Sequence, residues 1–164
     1  MGSVQRSRHQ NALLWRRRVA LTSIMYEYRV KEVVRVVDGD TVDLMLDLGF
    51  NLYKKERCRV AGIDTPESRT RDKKEKKYGL EAKAFLQGVL ENAENLSVKT
   101  EKEGKFGRML GWIHASNIDG SVNQLMIEAG HAWPYDGGTK DSSKDRFQVL
   151  DEAREAHKLN NKKG

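Results

Sequence analysis

Between Tyr28 and Leu48 apolar residues recur at alternate positions on both sides of an Asp-Gly pair, and few architectures can use such a pattern. Tyr28, Val30, Val34 and Val36 are interleaved with Arg29, Lys31 and Arg35. After Asp38-Gly39 the alternation resumes as Val42, Leu44, Leu46 and Leu48, with Thr41, Asp43 and Asp47 between them. A period of two means that one face of each segment is wet and the other dry, so each is a half-buried strand. Asp-Gly between two such runs predicts a hairpin. A third run, Arg57 to Ile63, stops at Pro66 and adds a third antiparallel strand.

The period then changes. A charged loop is expected from Ser68 to Lys77, followed by Ala82, Phe85, Leu86, Val89 and Leu90, which share one face of a helix. Leu96–Thr100 and Met109–Ala115 read as two further strands, joined by a turn over Glu103–Gly107. Ser121 can cap a short helix with Val122, Leu125, Met126 and Ala129 on its inner side, ended by Gly130. A last helix is expected over Asp145–Leu159. The order βββ-α-ββ-α-α, with a helix between the third and fourth of five strands, is that of a five-stranded OB-type barrel with three helices, an α+β and mainly β fold.

The chain has 164 residues, the size of one domain. Its net charge of +6 comes from 30 Lys and Arg against 24 Asp and Glu. Residues 1–25 hold five of those arginines and no acid, so the body, residues 26–164, is nearly neutral. The basic balance is therefore no argument by itself that the body binds nucleic acid. The acid-free segment 1–25 fits a leader, a transit peptide or a flexible arm. Arg16-Arg17-Arg18 interrupts the apolar stretch that a classical secretory signal needs, so a cytoplasmic or organellar location is expected. No run approaches the roughly 20 apolar residues of a membrane span. One cysteine and four histidines exclude a disulfide framework and offer no zinc-type ligand set.

Three segments carry the chemistry. Read singly, Asp38-Gly39-Asp40-Thr41 is a turn, Arg59 to Glu67 is a strand ending in Asp64-Thr65-Pro66-Glu67, and Lys105-Phe106-Gly107-Arg108 is a basic turn. Together, in this order, and with Tyr78-Gly79, Glu81-Ala82 and Val122-Asn123 between and after them, they resemble the staphylococcal nuclease (thermonuclease) family over about Tyr28 to Leu159. The resemblance implies Ca²⁺-dependent hydrolysis of DNA or RNA phosphodiesters with little sequence preference, by a monomer with no membrane partner. It implies Asp40, Asp64 and the carbonyl of Thr65 as metal ligands, Glu67 as the base or positioner of the attacking metal-bound water, and Arg59 and Arg108 as the arginines that grip the phosphate. It also brings Lys105 and Phe106 near the substrate, and it puts Trp133 and Tyr135 where aromatics stack on a base. Phe106 stands where the family often has a tyrosine, which removes one hydrogen bond to phosphate.

The residue types suit that chemistry. Ca²⁺ takes hard oxygen ligands. A guanidinium makes two parallel hydrogen bonds to a phosphate and keeps its charge. The segment Arg69–Lys77, including Lys73 and Lys74, holds six basic and two acidic residues; it is expected to be a solvated loop or an electrostatic lip for a phosphate backbone. His114, His131 and His157 have no nucleophile beside them in the sequence and read as structural. The rival reading is an inactive OB-type module that binds nucleic acid or protein.

Overall fold

The computed structural model describes residues 26–100, 108–136, 138 and 145–162. The segment 1–25 and the turn carrying Lys105 and Phe106 lie outside the described residues. The strands are β1 (Tyr26–Asp38), β2 (Thr41–Asp47), β3 (Tyr53–Val60), β4 (Ile63–Asp64), β5 (Ser97–Thr100), β6 (Met109–His114) and β7 (Trp133–Pro134). The helices are α1 (Lys73–Glu91), α2 (Val122–Glu128) and α3 (Arg146–Asn161).

Five strands close a barrel in the order β1-β2-β3-β6-β5. β1, β2 and β3 are antiparallel neighbours, β1 also pairs antiparallel with β5, and β5 with β6. The seam is parallel, Cys58 opposite Met109 and Val60 opposite Gly111. Three register shifts in β1, after Val30, Val33 and Val36, bend the strand so that its two halves serve two neighbours. The expected α+β barrel with three helices is therefore the fold. Two short strands, β4 and β7, form a separate pair with Ile63 opposite Pro134 and Asp64 opposite Trp133. Two-residue strands leave no periodic signal, which is why the sequence did not announce them.

The inward residues of the two alternating runs make the core. Val42, Leu44 and Leu46 are buried against Leu86, Val98, Ile113 and Met126. Each such side chain contributes about 1.5–3 kcal/mol through burial. Cys58 lies wholly inside, and burial pushes its thiol up to about 12, so it is inert at neutral pH. The seam tolerates no side chain at Gly111, where a Cβ would stand 2.6 Å from Cys58 Sγ and Val98 Cγ2. Asn123 closes the gap beside it. Its amide donates to the carbonyls of Ala61 (2.8 Å) and Gly111 (3.0 Å), and its side-chain oxygen accepts from the Ile113 N–H at 2.9 Å. His131 stacks on Phe85 at 4.3 Å, and burial, with Arg154 beside it, lowers its titration to about 4.

The charged segment before α1 differs from expectation. Asp72 caps the helix by accepting from the Glu75 N–H at 2.9 Å, so Lys73 to Lys77 are helical and only 68–72 remain a loop. Asp72-Lys73-Lys74-Glu75 has the spacing of a capping box, a signal that the density of charge obscures.

Asp43 on β2 is almost fully buried and ties three strands together. It accepts two bonds from Arg57 (2.7 and 3.0 Å) and one from Arg35 at 3.1 Å. The hydrogen bond from Arg57 holds its carboxyl below the ordinary range, against the opposing effect of burial. This pairing contributes stability that is complete above an unfolded pKa of about 3.9 and is lost as pH falls through the depressed folded value. Melting curves of wild type and Asp43→Asn should therefore differ most at neutral pH and converge as the carboxyl becomes protonated in the folded state. A difference that stays constant from pH 7 to pH 2 would contradict the assignment.

Candidate active site

The β1–β2 turn presents Asp40. Asp38 pairs with Thr41, leaving Gly39 and Asp40 as the two turn residues. Gly39 is needed there for room, since a Cβ would stand 2.8 Å from Ala82 Cβ and 3.2 Å from Thr65 Cβ. The turn thus packs onto α1 and onto the segment after β4. The Asp40 carboxylate accepts from the Thr41 hydroxyl at 2.9 Å and the Thr65 hydroxyl at 3.0 Å.

Arg59 draws the second carboxylate to the first. Its Nη1 ion-pairs with Asp40 Oδ2, and its Nη2 lies 3.7 Å from Asp64 Oδ1. The same nitrogens donate to the carbonyls of Asp40 (3.3 Å) and Ile63 (3.2 Å), which fixes the plane of the guanidinium. Arg59 is 18% exposed, Asp40 14% and Asp64 11%, so these charges meet largely out of water. There each interaction is stronger than at an exposed surface.

Asp64 has a further partner that sequence reasoning missed. Arg146, the first residue of α3, donates from Nη2 to Asp64 Oδ2 at 2.9 Å. Its guanidinium lies 3.8 Å from the centre of the Trp133 ring, and the indole N–H donates to the Arg146 carbonyl at 2.8 Å. Since Trp133 is also the β7 residue opposite Asp64, strand, ring and arginine form one unit around this carboxylate. A lone arginine after a helix cap carries no local signal; only the β4–β7 pairing brings it here.

Glu67 sits on the loop that follows, its side chain exposed between the buried Pro66 and Ser68. The backbone around it is anchored twice. The Ser68 hydroxyl donates to Asp38, and α1 crosses so closely that a Cβ on Gly79 would stand 2.6 Å from Glu67 C and Ser68 N. Arg108 is half-buried immediately before β6, whose Leu110 lies opposite Arg59 across the seam. The fold therefore gathers Asp40, Arg59, Asp64 and Thr65 tightly, with Glu67 and Arg108 on segments adjoining them.

Several expected substrate contacts are placed otherwise. Trp133 is buried, with Arg146 over its face and Phe147 against its edge at 6.0 Å, so it packs rather than stacks on a base. Tyr135 is 38% exposed beside it, its N–H held by the Gly62 carbonyl at 2.9 Å. Lys74 reaches Asp145, the cap of α3, at 3.4 Å and lies over Phe147, tying α1 to α3 instead of forming a lip. Lys73 is exposed at the start of α1.

Among the described residues no three His, Cys, Asp or Glu gather as a metal site. Asp40 and Asp64 are nevertheless two hard, poorly hydrated carboxylates that meet on one guanidinium, with the Thr65 hydroxyl on Asp40. Two carboxylates are hard oxygen donors of the type that a Ca²⁺ ion takes, and such an ion would share them with Arg59 and Arg146.

A closed five-stranded barrel with paired carboxylates and an arginine at one rim defines an OB-fold protein with a polar site built on its first hairpin. The family model described as "Staphylococcal nuclease homologue" matches residues 57–162. An "Uncharacterized endonuclease" of Escherichia coli O157:H7 is 35% identical over 105 residues, 63% of this chain and 60% of that protein. A "Micrococcal nuclease" of Shigella flexneri is 31% identical over 130 residues, 75% of this chain and 68% of that protein. "Protein ParB" of Escherichia coli is 29% identical over 130 residues. The match spans 60% of the length of the E. coli endonucleases. The chain belongs to the staphylococcal nuclease family.

Proposed function

We propose that residues 26–164 form one monomeric, Ca²⁺-dependent nuclease domain that hydrolyses phosphodiesters of DNA, RNA or both with little sequence preference. The observation that carries this reading is the meeting of Asp40 and Asp64 on the Arg59 guanidinium, beside the segment that presents Glu67. A phosphodiester repels a nucleophilic oxygen until positive charge is brought to it. Asp40, Asp64 and the Thr65 carbonyl would hold the Ca²⁺, which would supply Lewis acidity toward the phosphate and the attacking water.

The chain's own groups do the rest. Arg59 and Arg108 offer fixed donors to the phosphate oxygens, and these donors gain strength as charge accumulates in the transition state. Glu67, exposed on a loop anchored at Ser68 and Gly79, holds the attacking water and accepts its proton. Arg146 keeps Asp64 oriented. The exposed Tyr135, two residues beyond the partner of Asp64 in the β4–β7 pair, offers a ring on which a base can stack. Nothing in this scheme reads a base edge, which accords with little sequence preference.

The test is incubation of the purified protein with plasmid, single-stranded DNA and RNA, in Ca²⁺ or excess chelator. Cleavage is expected only with the metal, and Glu67→Gln should lower it by about 10²-fold or more while Ca²⁺ still binds. Full activity in Glu67→Gln would remove the proton-accepting role, and cleavage in chelator would remove the metal. Binding without cleavage would favour an inactive OB-type module.

A further inference from the structure

The β2–β3 hairpin, whose open end carries Arg59, has an unusual tip at its closed end. Leu48 and Leu52 close a tight loop, with hydrogen bonds of 2.9 Å from the Leu48 N–H to the Leu52 carbonyl and from the Leu52 N–H to the Gly49 carbonyl. Asp47 fastens its base by accepting from the Gly49 N–H at 2.9 Å. Within the loop three successive residues have positive φ: Gly49 at 79°, Phe50 at 52° and Asn51 at 60°. Phenylalanine is a poor choice for that conformation. Its ring is 97% exposed, so no packing rewards it. A disfavoured backbone that holds an aromatic side chain wholly in solvent points to a binding role.

The strand leading from the tip to the site supplies the rest. In β3 alternate residues share a face, and the register puts Tyr53, Lys55, Arg57 and Arg59 on the outer one, opposite Asp47, Met45, Asp43 and Thr41. The intervening β2 residues, Val42, Leu44 and Leu46, lie opposite Cys58, Glu56 and Lys54 and belong to the core. Arg57 is 46% exposed although Asp43 fixes one edge of its guanidinium, and Tyr53 is 48% exposed with Lys31 Nζ 5.7 Å above its ring. Three cations at steps of about 6.8 Å thus run from the carboxylate site toward two exposed aromatic rings, a span of about 20 Å from Arg59 to Tyr53.

We infer that the outer face of β3 is a track for single-stranded nucleic acid, with backbone phosphates on Arg57 and Lys55 and unpaired bases stacked on Tyr53 and Phe50. The inference rests on the nuclease reading for the scissile end of the strand, at Arg59. Regularly spaced cations with aromatic platforms are what a sequence-indifferent single strand needs, whereas bases within a duplex cannot reach the rings. An anionic membrane would use the apolar tip, but it has no use for a row of cations leading away from it to a buried pair of carboxylates.

The track is tested by anisotropy of a labelled 12-nucleotide oligothymidylate in chelator, where no cleavage competes. Phe50→Gly and Tyr53→Ala should each raise its Kd by about 10-fold or more. Lys55→Gln should lower the slope of log Kd against log salt by about one, while the aromatic variants leave that slope alone. Phe50→Gly relieves the backbone, so its Tm should not fall, which separates lost binding from lost folding. An unchanged Kd in both aromatic variants would overturn the track even if the wild type cleaves DNA. Binding of this pattern with no cleavage would uphold the track and sink the nuclease reading. Pelleting with phosphatidylserine–phosphatidylcholine vesicles that is lost in Phe50→Gly, with oligonucleotide affinity intact, would instead assign the tip to a membrane.

Discussion

Arg59→Ala is expected to lower kcat/KM for DNA by about 10²–10³-fold, the usual consequence of losing one fixed donor to a developing oxyanion. The same substitution should tighten Ca²⁺ binding. Arg59 neutralises Asp40 and approaches Asp64, so it competes with a cation for both carboxylates. A variant that was merely misfolded would lose both the rate and the metal. Arg59→Lys keeps the charge but not the planar fork, so its rate should fall between wild type and alanine, with Ca²⁺ affinity near wild type. Calorimetric Ca²⁺ titration beside initial rates on plasmid DNA checks both signs. A weaker Ca²⁺ affinity in Arg59→Ala would mean that the arginine organises the carboxylates rather than competing for them.

The second large effect comes from a residue that touches no substrate. Glycine inside a helix ordinarily costs about 1 kcal/mol relative to alanine. Gly88→Ala should recover that amount, since nothing lies within 4 Å of its Cβ position. Gly79→Ala in the same helix should do the reverse. Its Cβ would press at 2.6 Å on the backbone of Glu67 and Ser68, which cannot rotate aside, and the strain should cost about 1–3 kcal/mol. Glu67 would move with that backbone, and a displacement near 1 Å can cost about 10² in rate. Urea melts and rates on the pair Gly79→Ala and Gly88→Ala test this directly. Equal stability and equal activity in the two variants would show that α1 simply shifts to make room.

The barrel was legible because its signals are local and repeated. Val42, Leu44 and Leu46 alternate, Ala82, Leu86 and Leu90 recur at helical spacing, and each set has one dry side. Asp40, Arg59 and Asp64 stand out for another reason, the resemblance of their motifs to one family; read singly, those motifs are a turn and the end of a strand. Arg146 lies 82 residues from Asp64 and belongs to no motif, so the geometry alone reveals it. In the sequence Trp133 is open between core packing and base stacking for a related reason. An aromatic after a helix can face solvent or core, and the β4–β7 pairing that turns it inward is only two residues long. Lys74 shows the same limit, since its partner Asp145 sits at the head of a distant helix.

The distance between Asp64 and Arg146 also sets an order of assembly. Chains emerge from the ribosome at about 5–20 residues per second, so roughly 4–16 seconds separate the synthesis of these two residues. Every strand of the barrel, ending at His114, is made before Arg146 is. Until Arg146 is made, Asp64 lacks its hydrogen bond, and Trp133 lacks the guanidinium that later covers it. The nascent chain thus meets free cations with one competitor fewer at its carboxylates than the finished protein has.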